Sequence, residues 1–155
     1  MTALLALPAS GSSPGLVTAV VAIAVALLAS SIIAVAIKSR SGKLRAGNGG
    51  PGGVTAPAGI ELSPTGPTIV HFSAAWCGPC ASVRRVVDQV VAGAPEVGHV
   101  EVDIDTNPDA ARELSVLSLP TTFIFDAAGR QAYRVSGVPK AADLRTALQG
   151  LTQPG

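Results

Sequence analysis

Two cysteines, Cys77 and Cys80, are the only ones in 155 residues, and their spacing constrains this chain more than any other feature. The β-branched, apolar run Thr68-Ile69-Val70-His71-Phe72 leads into them and reads as a central strand. A small-residue turn follows, and then Trp76-Cys77-Gly78-Pro79-Cys80. Strand, loop and helix start in that order set Cys77 at a helix N-terminus. There, unpaired backbone N–H groups and the helix dipole favour thiolate over thiol. Cys77 is therefore expected to attack a disulfide, and Cys80, one turn on, to resolve the mixed disulfide that results. A single cysteine pair cannot be a reactive dithiol and also staple a small secreted fold, so packing must hold the core.

The second constraint is a run without charge. Leu16 to Ile37 is 22 residues interrupted only by Thr18, Ser30 and Ser31. As a helix it would span roughly 33 Å, close to the ~30 Å hydrocarbon core of a bilayer. Ala34-Val35-Ala36 has the small-x-small look of a signal-peptide cleavage site. Against cleavage, no Lys or Arg precedes the run, and it is longer than the ~7–15 residues of a signal-peptide core. Lys38, Arg40, Lys43 and Arg45 follow it with no acid among them, which points to a cytoplasmic C-terminal side. The expected topology is N-out and single-pass, with an extracytoplasmic domain as the alternative. From Thr68 onward seven Lys/Arg face nine Asp/Glu, so no basic face for nucleic acid is expected.

Five segments are expected: an uncharged tail (1–15), a transmembrane helix (16–37), a basic then Gly/Pro-rich linker (38–67), a folded domain (68–151) and a short tail (152–155). The composition of Ala46 to Pro67 predicts a flexible tether with a reach of roughly 25 Å. Beyond Thr68–Phe72, helical spacing of Val83, Val86, Val87, Val90 and Val91 predicts a helix up to Gly93. Alternation over Val97–Ile104 predicts a strand. Asn107 is expected to cap a short helix from Pro108 to about Leu114. Thr121–Phe125 and Gln131–Ser136 read as a hairpin across Asp126-Ala127-Ala128-Gly129, and Pro139 to Leu151 as a closing helix. The order βαβαββα implies an α/β fold, a mixed sheet with helices on both faces.

Residues 72–80 (Phe-Ser-Ala-Ala-Trp-Cys-Gly-Pro-Cys), then Val-Asp-Ile-Asp-Thr-Asn-Pro, then Leu-Pro-Thr-Thr-Phe-Ile-Phe, then Gly137, resemble the thioredoxin family in order and spacing. The resemblance covers residues 68–151. It implies a trimmed thioredoxin-like fold and a thiol–disulfide oxidoreductase without a cofactor. It also implies a cis peptide before Pro120 and a substrate surface drawn from Trp76, Gly78, Pro79, Leu119, Pro120 and Gly137. The implied partners are protein disulfides and an electron-donating reductase or low-molecular-weight thiol.

Departures from the family pattern are informative. The usual first strand and helix are missing, which is expected to leave a sheet edge exposed, with Ile60-Glu61-Leu62 as a vestigial strand at most. Ser73 replaces an aromatic residue, and Arg85 a proline. Where the family commonly has a buried Asp and a Lys, this chain has His71 and Glu101. The exchange suggests a buried pair in which His71 relays the proton of Cys80 and Glu101 orients the imidazole and raises its pKa. The alternative is a tolerated strand histidine and a solvent-facing Glu101. His99 is expected to be an ordinary surface histidine, and Arg84 and Arg85 a solvated helix face. Zinc would need four ligands where one Cys-x-x-Cys offers two, with only His71 and His99 to add, so no metal is expected. Intact Cys77, Cys80 and Pro120 weigh against a non-catalytic binding module. The remaining alternative is the same chemistry outside the membrane, in cytochrome maturation or disulfide repair.

Overall fold

The computed structural model describes residues 14–47 and 54–152. The expected tail up to residue 13, the Gly-rich middle of the linker (48–53) and residues 153–155 lie outside the described residues. The chain forms two compact units, Met1–Ser39 and Arg40–Gly155.

The described residues of the first unit lie in one helix, α1 (Pro14–Arg40), which carries no charged side chain before Lys38. Its segment Gly15–Ala36 has a mean hydropathy of 2.7 and is long and apolar enough to cross a bilayer. The Ser30 and Ser31 hydroxyls donate to the Ala26 and Leu27 carbonyls at 2.8 and 2.9 Å, so neither leaves a polar group unsatisfied on an apolar surface.

The second unit contains β1 (Arg45–Ala46), β2 (Thr68–Ser73), α2 (Cys80–Val91), β3 (Gly98–Asp103), α3 (Pro108–Glu113), β4 (Thr121–Phe125), β5 (Gln131–Ser136) and α4 (Ala141–Thr152). The sheet order is β1-β5-β4-β2-β3, with β2 and β3 parallel and every other pair antiparallel. Side chains alternate across the strands. Ile69 and Ile124 therefore pack on one face with Val83, Val87 and Val90 of α2 and Leu144 and Leu148 of α4. Val70, Phe72, Val102, Phe123 and Phe125 pack on the other with Ala111 and Leu114 at α3. The β4–β5 turn closes with Gly129 at φ 74° while Asp126 Oδ1 accepts the Ala128 and Arg130 amides, each at 2.9 Å.

Three expectations are corrected. Residues 38–67 are not all linker, because Arg45–Ala46 pairs with Arg134 and Tyr133 at the β5 edge, and Gly42 and Gly47 donate to Ser136 and Ala132 at 2.7 and 2.6 Å, while at the other edge β3 ends the sheet with no further strand among the described residues. Nor are residues 54–67 a free tether. Thr55 bridges Arg130, and Ala56, Ile60 and Leu62 pack against the aromatic cluster, so a few apolar side chains order a segment whose average composition is that of a spacer. Ile60-Glu61-Leu62 forms no strand. Finally, Asn107 precedes α3 but its side chain does not cap it; Nδ2 donates to the Asp103 carbonyl at 3.1 Å instead.

Candidate active site

Cys77 and Cys80 form a disulfide at the start of α2, with Pro79 immediately before the helix. The apolar strand β2 fixes this position, since it runs through the core and delivers the loop to the sheet's C-terminal edge. Cys77 is half-buried, whereas Cys80 is 3% exposed. No acidic residue occupies the first turn of α2, so no carboxylate of the helix itself opposes a thiolate at its N-terminus. One sulfur is thus open to a partner and the other is held back.

The residues expected to form a substrate surface are distributed as follows. The Leu119–Pro120 bond is cis, and the Pro120 carbonyl accepts the Gly137 amide at 2.8 Å. Trp76 is 71% exposed, with Nε1 donating to Asp105 Oδ2 at 3.3 Å. Gly78 and Pro79 are exposed, and a Cβ on Gly78 would meet nothing within 4 Å. Gly137 sits at φ 86°, and a Cβ there would lie 3.2 Å from that of Ser41, so its neighbour is this chain's own segment before β1.

Beneath the dithiol lies a polar cluster between α2 and the sheet. His71, wholly buried, is opposite Glu101 on β3 and Thr122 on β4. Its Nε2 is 3.5 Å from Glu101 Oε1. Glu101 is gripped from the other side: Arg84 donates Nε to Oε2 at 2.7 Å and Nη2 to Oε1 at 2.5 Å, and Ser73 Oγ donates to Oε1 at 2.7 Å. This fork holds the Glu101 carboxyl down at about 2, the Arg84 hydrogen bond contributing most. His71 is lowered to about 4, because burial penalises the imidazolium more than Glu101 favours it. The expected upward shift of His71 is therefore reversed. Glu101 is spent on Arg84, and His99 and Arg84 both act against a charge on His71.

His99 is not the surface residue expected. Its ring stacks on His71 with centroids 5.0 Å apart, and its Nε2 is 2.9 Å from His71 Nδ1. Its Nδ1 is 3.2 Å from Asp88 Oδ1 on α2. Arg84 likewise belongs to this cluster, while Arg85 hydrogen-bonds within its own helix, to the Ala81 carbonyl and Ser82. The signal for His99 and Asp88 is periodic. His99 and Glu101 are two apart on one strand face, and Cys80, Arg84 and Asp88 are four apart on one helix face. Among the described residues, His71 Nε2 and Thr122 Oγ1 are buried without a hydrogen-bond partner.

The family pattern described as Thioredoxin matches residues 60–150. The thioredoxin of Mycobacterium tuberculosis (strain ATCC 25618 / H37Rv) is 40% identical over 86 residues, 54% of this chain and 73% of that protein. The bifunctional thioredoxin reductase/thioredoxin of Mycobacterium leprae (strain TN) is also 40% identical over 86 residues, but the chain spans only 19% of its length. Among solved structures, a mutant thioredoxin from Halobacterium salinarum NRC-1 superposes with a TM-score of 0.54 at 27% identity, over 60% of this chain and 80% of that one. Chloroplastic thioredoxin z gives a TM-score of 0.51 at 35% identity, over 56% and 79%.

Proposed function

The chain belongs to the thioredoxin family and is a thiol–disulfide oxidoreductase, and from that premise we propose that it is a membrane-anchored reductant of protein disulfides, held by residues 16–37 with the catalytic domain on the cytoplasmic side. The observation that carries the redox reading is the asymmetry of the Cys77–Cys80 pair, one sulfur half-buried at a helix N-terminus and the other almost wholly buried.

In the reducing direction, the Cys77 thiolate attacks a substrate disulfide, forming one S–S bond and releasing one substrate thiolate. Cys80 then loses its proton and attacks the Cys77 sulfur. The second substrate thiolate leaves, and Cys77–Cys80 is the disulfide that remains, two electrons having passed to the substrate. A reductase or low-molecular-weight thiol returns them. The M. leprae relative's name joins a reductase to a thioredoxin, which supports a reductase as the donor.

The Cys80 proton needs a route, and His71 is the group we assign to it. Cys80, Arg84 and Asp88 occupy successive turns on one face of α2. Arg84 and Asp88 reach Glu101 and His99, which puts Cys80 one turn further along the same face. An imidazole held at about 4 cannot store a proton near neutrality, so it must hand the proton on as it arrives. The carboxylate of Asp88 only accepts, which leaves the His99 proton on Nδ1 and makes its Nε2 the acceptor for His71 Nδ1–H. His71 Nε2 then carries the lone pair, without a hydrogen bond and 3.5 Å from Glu101 Oε1. A proton taken up there can leave through His99 to Asp88, whose side chain is 59% exposed. His71, His99 and Asp88 form the path, and Glu101, fixed by Arg84 and Ser73 at 3.5 Å from Nε2, favours the ring while it carries the proton.

Reduction of a disulfide-bonded protein substrate by the full chain, with a dithiol as electron donor, tests the redox reading. Cys77→Ser is expected to abolish turnover, and Cys80→Ser to accumulate a mixed disulfide through Cys77. Turnover that survives Cys77→Ser would contradict it. Labelling intact and lysed cells with an impermeant maleimide after reduction tests the side. Reaction of Cys77 only after lysis is expected, and reaction in intact cells would move the domain outside.

A further inference from the structure

The β1–β5 edge carries a feature that disulfide exchange does not use. Arg45 lies directly opposite Arg134, and Gly42 donates to Ser136 at 2.7 Å, so Lys43 and Ser136 continue the same register. Lys43, Arg45, Arg134 and Ser136 line a cavity of about 150 Å³, several times the ~30 Å³ share of one water. Among the described residues, none of the three cations forms an ion pair with a carboxylate. For Lys43 and Arg45 the nearest acidic residue in sequence is Glu61.

Like charges directly opposite on paired strands are destabilising. Here the repulsion is not relieved by turning Arg134 away into water. Its guanidinium lies 5.0 Å over the Phe123 ring and donates to the Leu114 and Ser115 carbonyls at 3.0 and 2.8 Å. Burial lowers its pKa, the mark of a cation whose lost hydration no counter-charge replaces. Arg45 and Lys43 are exposed and free to close over the cavity from the opposite strand.

We propose that this cavity is a binding site for a phosphoryl anion. Three cations and a hydroxyl arriving from two strands match a tetrahedral group with several oxygens better than a planar carboxylate, which one Arg fork satisfies alone. Two sources share this chemistry: the phosphodiester of an anionic lipid headgroup and free inorganic phosphate. The lipid is favoured by sequence continuity. Lys43 and Arg45 end the basic cluster that begins at Lys38, immediately after the apolar run, where cations meet an anionic leaflet.

The test uses the full chain and the Lys43→Gln/Arg45→Gln variant, neither residue being part of the dithiol machinery. In neutral detergent, inorganic phosphate is titrated against chloride at matched ionic strength, with affinity and Tm as readouts. In nanodiscs of phosphatidylcholine, with or without phosphatidylglycerol, hydrogen exchange at the Gly42 and Gly47 amides is followed. The wild type is expected to gain a few degrees in Tm with phosphate, or slower exchange with phosphatidylglycerol, or both. Affinity in the double variant should fall at least about tenfold. Without any anion, Arg45→Gln alone should raise Tm, because the opposed charges are gone. A response to phosphatidylglycerol only identifies the headgroup as the source, and a response to phosphate only identifies the free anion. The proposal is overturned if neither probe outperforms its control, or if the double variant, folded and active in disulfide reduction, responds as the wild type does.

Discussion

On the face that meets α3, strands β2 and β4 present Val70, Phe72, Phe123 and Phe125, all apolar and almost without exposure. On the opposite face the same two strands present Ile69 and Ile124 and then, toward the dithiol, His71 and Thr122. The first face is held by dispersion and the removal of apolar surface from water, which no proton can switch. The second gives up part of that stabilisation, leaving two buried polar atoms without partners, and gains groups that titrate. A sheet can thus divide its work, with one face anchoring the fold and the other serving the helix that carries the sulfurs.

The contrast can be tested by breaking each face in turn. Phe123→Ala should cost most, about 3–5 kcal/mol in denaturant unfolding, with a loss that stays the same between pH 7 and pH 4. A loss that changed with pH would mean the two faces are coupled. His71 supplies the next largest effect. It titrates near 6.5 in the unfolded chain and at about 4 in the native one. Between those values the unfolded chain binds more protons, so stability is full above about 6.5 and falls as pH drops to about 4, by on the order of 3 kcal/mol. Glu101, at about 2 natively and 4.5 otherwise, adds a loss below pH 4.5. His71→Leu should flatten the upper window and leave the lower one, and an unchanged profile would contradict the assignment. Thr122→Val, which removes a buried hydroxyl without a partner, should stabilise by about 1 kcal/mol; a loss in calorimetry would mean the hydroxyl is engaged. The smallest effect is Arg84→Ala: Arg84 is half exposed and screened, so the Glu101 pKa should rise only part of the way toward its ordinary value in a carboxyl NMR titration, with a correspondingly small loss of stability near neutrality.

Much of the fold was legible because periodicity carries it. Thr68–Phe72 and Thr121–Phe125 are apolar, β-rich runs, and the valines of α2 recur at helical spacing. Two regions were not. Arg45–Ala46 is too short for alternation to show, and its charge reads as a flank of the apolar run. Ala56, Ile60 and Leu62 are scattered among Gly and Pro, so no period reveals their contacts with the aromatic cluster. Within the site, the cysteines and the residues around Pro120 stand out by motif. His99 does not, because its meaning depends on the register of two parallel strands, joined only through α2 and its loops. The direction of the His71 shift was equally hidden. Sequence shows that an acid is opposite, but not that Arg84 has already claimed it.

The most direct test of the account is the rate at which Cys80 releases the substrate from its mixed disulfide with Cys77, measured by quenched flow in the full chain at pH 7. His71→Ala should slow this step by about 10- to 100-fold and leave the first attack by Cys77 unchanged. His99→Ala should slow the same step in the same way. If both variants release substrate as fast as the wild type, the polar face of the sheet does not serve the dithiol, and His71 is only a buried strand residue.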